Sequence, residues 1–132
     1  MEESRLRTYS PLSLAFLGDA VYSLIVRKEI VEDADRPVHE LHEMSSGIVS
    51  AVAQAAMMEH LLPFLSEEEE GVYRRGKNAK TISGAKNASS AAYHKATGFE
   101  SLLGWLYLKG DMERIYELLE IGRKASERGM GI

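Results

Sequence analysis

The chain has 132 residues, of which 45% are hydrophobic and 27% are charged, and this composition is typical of a globular domain with one core. It has no cysteine, which excludes disulfides and thiolate metal sites, and no apolar run of about 18 residues that would span a membrane. A formal net charge of −4 argues against a uniformly basic nucleic-acid-binding protein. We therefore expect a single domain over residues 1–132, in the cytoplasm and away from membranes.

The first half of the chain is predicted to form helices. Ser10 and Pro11 mark a helix start, because a hydroxyl caps the helix and proline suits its first turn. Residues 12–26 are apolar on nearly every side, so this helix should be central and buried on most faces. After a break at residues 33–37, apolar residues recur every three or four positions up to Leu62. This pattern predicts one long or two consecutive amphipathic helices, with residues 45–47 as candidate kink positions.

The second half of the chain shows the same helical signals. Ser66 and Glu69 form a capping box at the start of a helix. Residues 77–90 have no apolar period and are predicted to form a loop, followed by a short helix, capped by Ser89 or Ser90, that ends at Ala96. A buried helix from Phe99 and a last helix capped by Asp111 complete the chain. Since no segment alternates with period two, we predict an all-α fold, a helical bundle.

One segment of this acidic chain is free of acids. Residues 71–99 contain no Asp or Glu but carry six basic residues: Arg74, Arg75, Lys77, Lys80, Lys86 and Lys95. A local basic patch of this kind suits a polyanion. An ordinary solvated surface is the alternative.

Two isolated carboxylates lie in the two most apolar segments. Asp19 is the only charged residue between Leu12 and Val26, and Glu100 is the only one between Lys95 and Lys109. An ionised carboxylate in an apolar setting needs a partner, a proton or a cation. Two acids on facing helices, together with water, are enough to bind Mg²⁺. Each acid alone is equally compatible with a structural role, as a turn cap or in an exposed first helical turn.

Two near-matches to known motifs carry no function. Residues 71–78 approach a phosphate-binding loop, but Asn78 stands where that loop needs Ser or Thr. Residues 39–43 approach a zinc-protease motif, but Glu43 stands where the second histidine is required.

Five segments together resemble one enzyme family. Phe16–Val21, with the sequence FLGDAV, resembles the signature helix of the ribonuclease III endonuclease domain, and Phe99–Gly104, with the sequence FESLLG, resembles its second acidic motif. Three further segments resemble the short bacterial branch called Mini-ribonuclease III, and they are residues 41–51, 75–80 and 86–88. The resemblance extends from about Leu12 to Gly122.

The resemblance implies a metal-dependent endoribonuclease. Asp19 would be the principal catalytic carboxylate and Glu100 its partner, both as ligands of Mg²⁺, for which Mn²⁺ can substitute. Longer relatives carry two further acids, at the positions of Ala15 and Thr97, so the metal shell implied here is leaner and the number of ions is left open. A catalytically inactive module that binds structured RNA or ribosomal precursors is therefore the alternative. A helical dimer that only organises other proteins is a third.

The resemblance also implies the partners. The substrate would be double-stranded RNA, usually precursor 23S ribosomal RNA. Because the short branch lacks a separate RNA-binding domain, the catalytic domain itself must bind the duplex, and the predicted contacts are Arg74, Arg75, Lys77, Lys80 and Lys86. Two strands need two cutting sites, which predicts a two-fold homodimer. Phe16 would lie at its interface, and a core role within its own subunit is the alternative.

Overall fold

The computed structural model describes residues 1–80 and 90–130, with side chains described up to residue 125. In this part of the chain the regular elements are helices, which confirms the all-α prediction. They are α1 (Glu3–Leu6), α2 (Pro11–Asp33), α3 (Val38–Ile48), α4 (Ala51–Leu61), a 3-10 turn (Leu62–Phe64), α5 (Glu67–Lys77), α6 (Ser90–Lys109) and α7 (Met112–Met130). None of these helices is both long and apolar enough to cross a membrane.

Helices α2 and α6 form the centre of the fold and pack against each other more extensively than any other pair. Helices α4 and α5 cover α6, α7 packs on α4, and α3 lies against α2. In the core, the rings of Tyr22 and Phe99 meet edge to face with centroids 5.1 Å apart, a favourable aromatic geometry. The largest fully buried side chains come from α2, α4, α6 and α7, so one core joins distant parts of the chain.

Two glycines allow α2 and α6 to cross with their backbones in contact. A Cβ on Gly18 would lie 1.7 Å from the backbone oxygen of Glu100, and a Cβ on Gly104 would lie 2.0 Å from that of Leu14. No residue with a side chain fits either position without moving a helix. The crossing therefore brings the backbone next to Asp19 against the backbone of Glu100.

The predicted helix starts are confirmed by their hydrogen bonds. Ser10 Oγ accepts from the Ser13 amide at 3.1 Å. Ser66 and Glu69 form the complete capping box, with bonds of 2.8 and 3.1 Å. Asp111 Oδ1 accepts from the Arg114 amide at 3.1 Å. These contacts satisfy amides that the first turn of a helix leaves unpaired.

Several boundaries differ from the prediction. Helix α6 runs without a break through Gly98, where two helices were expected. Gly98 makes room for Tyr73 of α5, since a Cβ there would lie 2.7 Å from the tyrosine ring. Helices α3 and α4 are separate and meet at Val49, with Ser50 capping α4, not at residues 45–47. The short helix α1 was not predicted at all.

Helix α2 is less buried than its composition indicated. Phe16 is 85% exposed and Leu24 is 68% exposed. The expectation of burial on most faces is therefore wrong for this side of the helix, where large apolar side chains face outwards.

Candidate active site

The α2–α6 crossing brings together the two predicted acids. Asp19 is exposed and Glu100 is half-buried, and their side chains are within hydrogen-bonding contact of each other. Burial first, and then the contact with Asp19 and its negative charge, raise the pKa of Glu100 from 4.5 to about 8. Two carboxylates in one site resist ionising together. At neutral pH the pair accordingly holds a proton, which a cation would displace.

A third side chain at this site was missed from the sequence. Gln54 of α4 is 2% exposed. Its Nε2 donates to the Val49 carbonyl oxygen at 3.0 Å and to Glu100 Oε2 at 3.4 Å, and the latter contact lowers the pKa of Glu100 in part. Gln54 is the only polar residue between Ser50 and Glu59. The reasoning that identified the isolated acids would have identified it as well.

The site lacks further acids where longer relatives of the resembled family have them. Ala15 is buried, and Thr97 is buried with its Oγ1 donating to the Tyr93 carbonyl oxygen at 3.0 Å. Within the described residues, no group of three or more His, Cys, Asp or Glu side chains is arranged to hold a metal ion.

The donor set at Asp19 and Glu100 nevertheless fits a hard divalent cation. Carboxylate oxygens are its preferred ligands, and Mg²⁺ commonly keeps several waters and takes only one or two carboxylates. Burial and the neighbouring Asp19 raise the pKa of Glu100, and no cationic side chain among the described residues opposes them. A bound cation would supply that compensation.

The predicted RNA contacts fall into two groups. Lys77 and Lys80 line one hollow together with His94 and Lys95. Arg74 and Lys77 also share a neighbouring hollow with Lys95. Arg74, Lys77 and Lys80 are exposed and form a basic surface at the end of α5, in which Arg74 pairs with Glu70 at 3.4 Å.

The two remaining predicted contacts are placed differently. Arg75 is exposed and lines a groove that it shares with Arg74, Arg7, Glu67 and Glu68. Lys86 lies outside the described residues, as does the motif of residues 86–88.

Phe16 lies one helical turn before Asp19, on the outer side of α2. Its 85% exposure excludes a core position within its own subunit. Ala20 and Leu24, which continue the same face, line an apolar hollow with Tyr107 and Tyr116.

Comparisons with known proteins agree on one family. The model of the ribonuclease III domain matches residues 12–111. Mini-ribonuclease 3 of Symbiobacterium thermophilum is 46% identical over 122 residues, which cover 92% of this chain and 94% of that protein. The Mini-ribonuclease 3 of Thermoanaerobacter sp. (strain X514) is 47% identical over 118 residues, 89% of this chain and 83% of that protein. This chain belongs to the Mini-ribonuclease 3 family.

The fold agrees with this assignment. A crystal structure of a protein from Fusobacterium nucleatum superimposes with a TM-score of 0.81 at 30% sequence identity, covering 91% of this chain and 96% of that one. As a member of the Mini-ribonuclease 3 family, the chain is an endoribonuclease of the ribonuclease III type. The matched region includes both Asp19 and Glu100.

Proposed function

We propose that this enzyme is a metal-dependent endoribonuclease that cuts double-stranded RNA as a two-fold homodimer. The observation that carries the proposal is the contact between Asp19 and Glu100, which come from different helices and together raise the Glu100 pKa to about 8. A structural role would pair a carboxylate as buried as that of Glu100 with a cationic side chain. Strongly perturbed acids without such a partner are characteristic of functional sites.

Asp19 and Glu100 would hold the Mg²⁺ ion, with Mn²⁺ as a substitute. When bound, the ion lowers the pKa of a water molecule and stabilises charge on a phosphate oxygen. Glu100 must lose its proton for the ion to bind, whereas the exposed Asp19 is accessible to the RNA. The two acids would together hold the ion, and the glycine crossing brings the two helices that carry them into contact.

The duplex is proposed to lie against the basic surface of Arg74, Lys77 and Lys80. Double-helical RNA is recognised mainly through its shape, phosphates and 2′-hydroxyls, and lysine and arginine side chains supply the phosphate contacts. Lys86 is expected to add to this surface. Arg75, which shares a groove with Arg74, is expected to contribute as well.

The homodimer is proposed to form through the outer side of α2. Phe16 and Leu24 expose apolar area beside an apolar hollow, and exposed apolar patches commonly mark interfaces. A two-fold dimer would place one acid pair on each strand of the duplex. Sedimentation analysis tests this: Phe16→Ala should shift the protein towards monomer, while Phe64→Ala, which truncates a phenylalanine that is 56% exposed elsewhere, should not.

The physiological role proposed is maturation of precursor 23S ribosomal RNA in the cytoplasm. The resemblance to the Mini-ribonuclease III branch supports it. Incubation with precursor 23S ribosomal RNA and mapping of the cut ends would test this role separately from general cleavage of duplexes.

A second candidate function is an inactive module that binds structured RNA. The buried Ala15 and Thr97, which supply no acid, favour it. It predicts binding of duplexes without cutting.

One experiment separates the two functions. A long perfect RNA duplex is incubated with Mg²⁺ or EDTA and with wild type, Asp19→Asn, or the control Asp35→Asn, which neutralises an exposed acid between α2 and α3. The nuclease should cut only with metal, and Asp19→Asn should bind without cutting while Asp35→Asn behaves as wild type. Binding without cutting by wild type would establish the inactive module instead.

A further inference from the structure

Gln54 lies between the end of α3 and the acid pair, in a buried position where an apolar side chain would be expected. It is 2% exposed, on the face of α4 that packs into the core. Its Nε2 is shared between the Val49 carbonyl oxygen and Glu100 Oε2. The Val49 carbonyl oxygen can only accept a hydrogen bond, so the amide nitrogen must face it, and this fixes the orientation of the amide.

The other half of the amide is not satisfied. Among the described residues, the buried Gln54 Oε1 has no hydrogen-bond partner. Side chains retained in a core for stability normally have their polar atoms paired, and methionine would fill similar space without burying an acceptor. The contact with Glu100 is the feature of Gln54 that an apolar residue could not supply.

We propose that Gln54 is a positioning residue that orients the Glu100 carboxylate for binding a divalent cation, an inference that rests on the proposed function. The amide contacts Glu100 Oε2 at 3.4 Å, which favours one orientation of the carboxylate and leaves its other oxygen for the cation. Hydrogen bonds of this kind orient metal-binding carboxylates. With Ala15 and Thr97 supplying no acid, the orientation of each remaining ligand matters more, and α4 provides it through Gln54.

The competing explanation is structural, because Gln54 also links α4 to the last turn of α3 through Val49. Mn²⁺ binding without RNA separates the two, measured by electron paramagnetic resonance of the free ion. Gln54→Met should fold and bind Mn²⁺ about tenfold more weakly than wild type. The matched control is Ser50→Ala, which removes the hydrogen bond to the Ala53 amide at the same junction. It should lower the melting temperature and leave Mn²⁺ affinity unchanged.

Equal Mn²⁺ affinity of Gln54→Met and wild type, with a lower melting temperature in the variant, would overturn the inference and leave the proposed function standing. Wild type that binds no Mn²⁺ would instead contradict the proposed metal-dependent function. Should Gln54→Met not fold, Gln54→Glu provides the test, because a third carboxylate beside Glu100 increases the need for a cation. Mn²⁺ should then raise the melting temperature of Gln54→Glu more than that of wild type, and an equal rise would overturn the inference.

Discussion

Glu69 of α5 and Glu100 of α6 are both largely removed from solvent, yet their surroundings are opposite. Arg114 donates to both oxygens of Glu69 at 2.8 Å, and the Ser66 amide adds a third bond at 2.8 Å. The hydrogen bond from Arg114, above all, lowers the pKa of Glu69. Glu100 instead faces Asp19, and burial and that second carboxylate raise its pKa.

The comparison shows that this fold can neutralise a buried carboxylate where stability requires it. Arg114 also donates to the Phe64 carbonyl oxygen at 2.8 Å, so the Glu69 pair joins α5, α7 and the 3-10 turn. Glu100 has no such cation in the described part of the chain. One glutamate therefore stabilises the fold as an ion pair, and the other is left without a cationic partner, so that a bound cation can replace its proton.

The largest expected effect is on cleavage. Asp19→Asn and Glu100→Gln should each lower the single-turnover rate on duplex RNA by at least about a hundredfold, since the metal would lose a charged ligand. Their melting temperatures in EDTA should equal or exceed that of wild type, because the repulsion within the acid pair is removed. A full cleavage rate in either variant would show that Asp19 and Glu100 are not the catalytic centre.

Breaking the ion pair between Glu69 and Arg114 should lower stability and leave cleavage unchanged. Glu69→Ala should lower the free energy of unfolding by about 3 kcal/mol, because it leaves Arg114 without the Glu69 carboxylate and removes the capping box. Cleavage per folded molecule should be retained. Chemical denaturation measures the loss, and Glu70→Ala, which removes an exposed ion pair with Arg74, should change stability by no more than about 0.5 kcal/mol. Equal losses of stability in Glu69→Ala and Glu70→Ala would show that the buried ion pair stabilises the fold no more than the exposed one.

A substitution at the helix crossing tests how the acid pair is held. Gly18→Ala should lower the free energy of unfolding by about 1–3 kcal/mol through overpacking and reduce cleavage as well, because the new methyl group displaces the backbone of Glu100. Gly47→Ala is the control: its Cβ would meet nothing within 4 Å, and it should stabilise the helix by up to about 1 kcal/mol. A Gly18→Ala enzyme with normal activity would mean that the crossing does not set the site geometry.

The pH dependence of stability tests the two opposite pKa shifts directly. Since the pKa of Glu100 is raised from 4.5 to about 8, its stabilising contribution in EDTA is complete below pH 4.5 and is lost as the pH rises to about 8. The depressed pKa of Glu69 has the opposite sign, and its contribution is lost on acidification below the usual carboxyl range.

Melting curves of wild type and Glu100→Gln across this range isolate the Glu100 contribution. The stability of wild type relative to Glu100→Gln should fall from pH 5 to pH 8 in EDTA, and divalent metal should reverse this fall. A difference that stays constant with pH would contradict the raised pKa.

Much of the fold followed from local signals in the sequence. Caps such as Ser10, Ser66 and Asp111 are read from neighbouring residues, and apolar periodicity gave the helices. The continuity of α6 through Gly98 was not predicted. That glycine allows Tyr73 of α5 to pack against α6, and this long-range contact is not contained in any local sequence pattern.

The acids of the site were predictable from the sequence, but the contacts between them and their neighbours were not. Asp19 and Glu100 stood out as isolated charges, and the family resemblance assigned them a role. Their mutual contact, the buried amide of Gln54 and the Arg114 pair with Glu69 all depend on how separate helices meet. Sequence spacing carries no information on such distances.

The glycine crossing has a consequence for how the enzyme comes into being. Gly18 and Gly104 lie near opposite ends of the chain, so Asp19 and Glu100 meet only after α6 has been synthesised and has docked on α2. A nascent chain carries the first acid long before the second. The acid pair is therefore assembled only when the two central helices have docked.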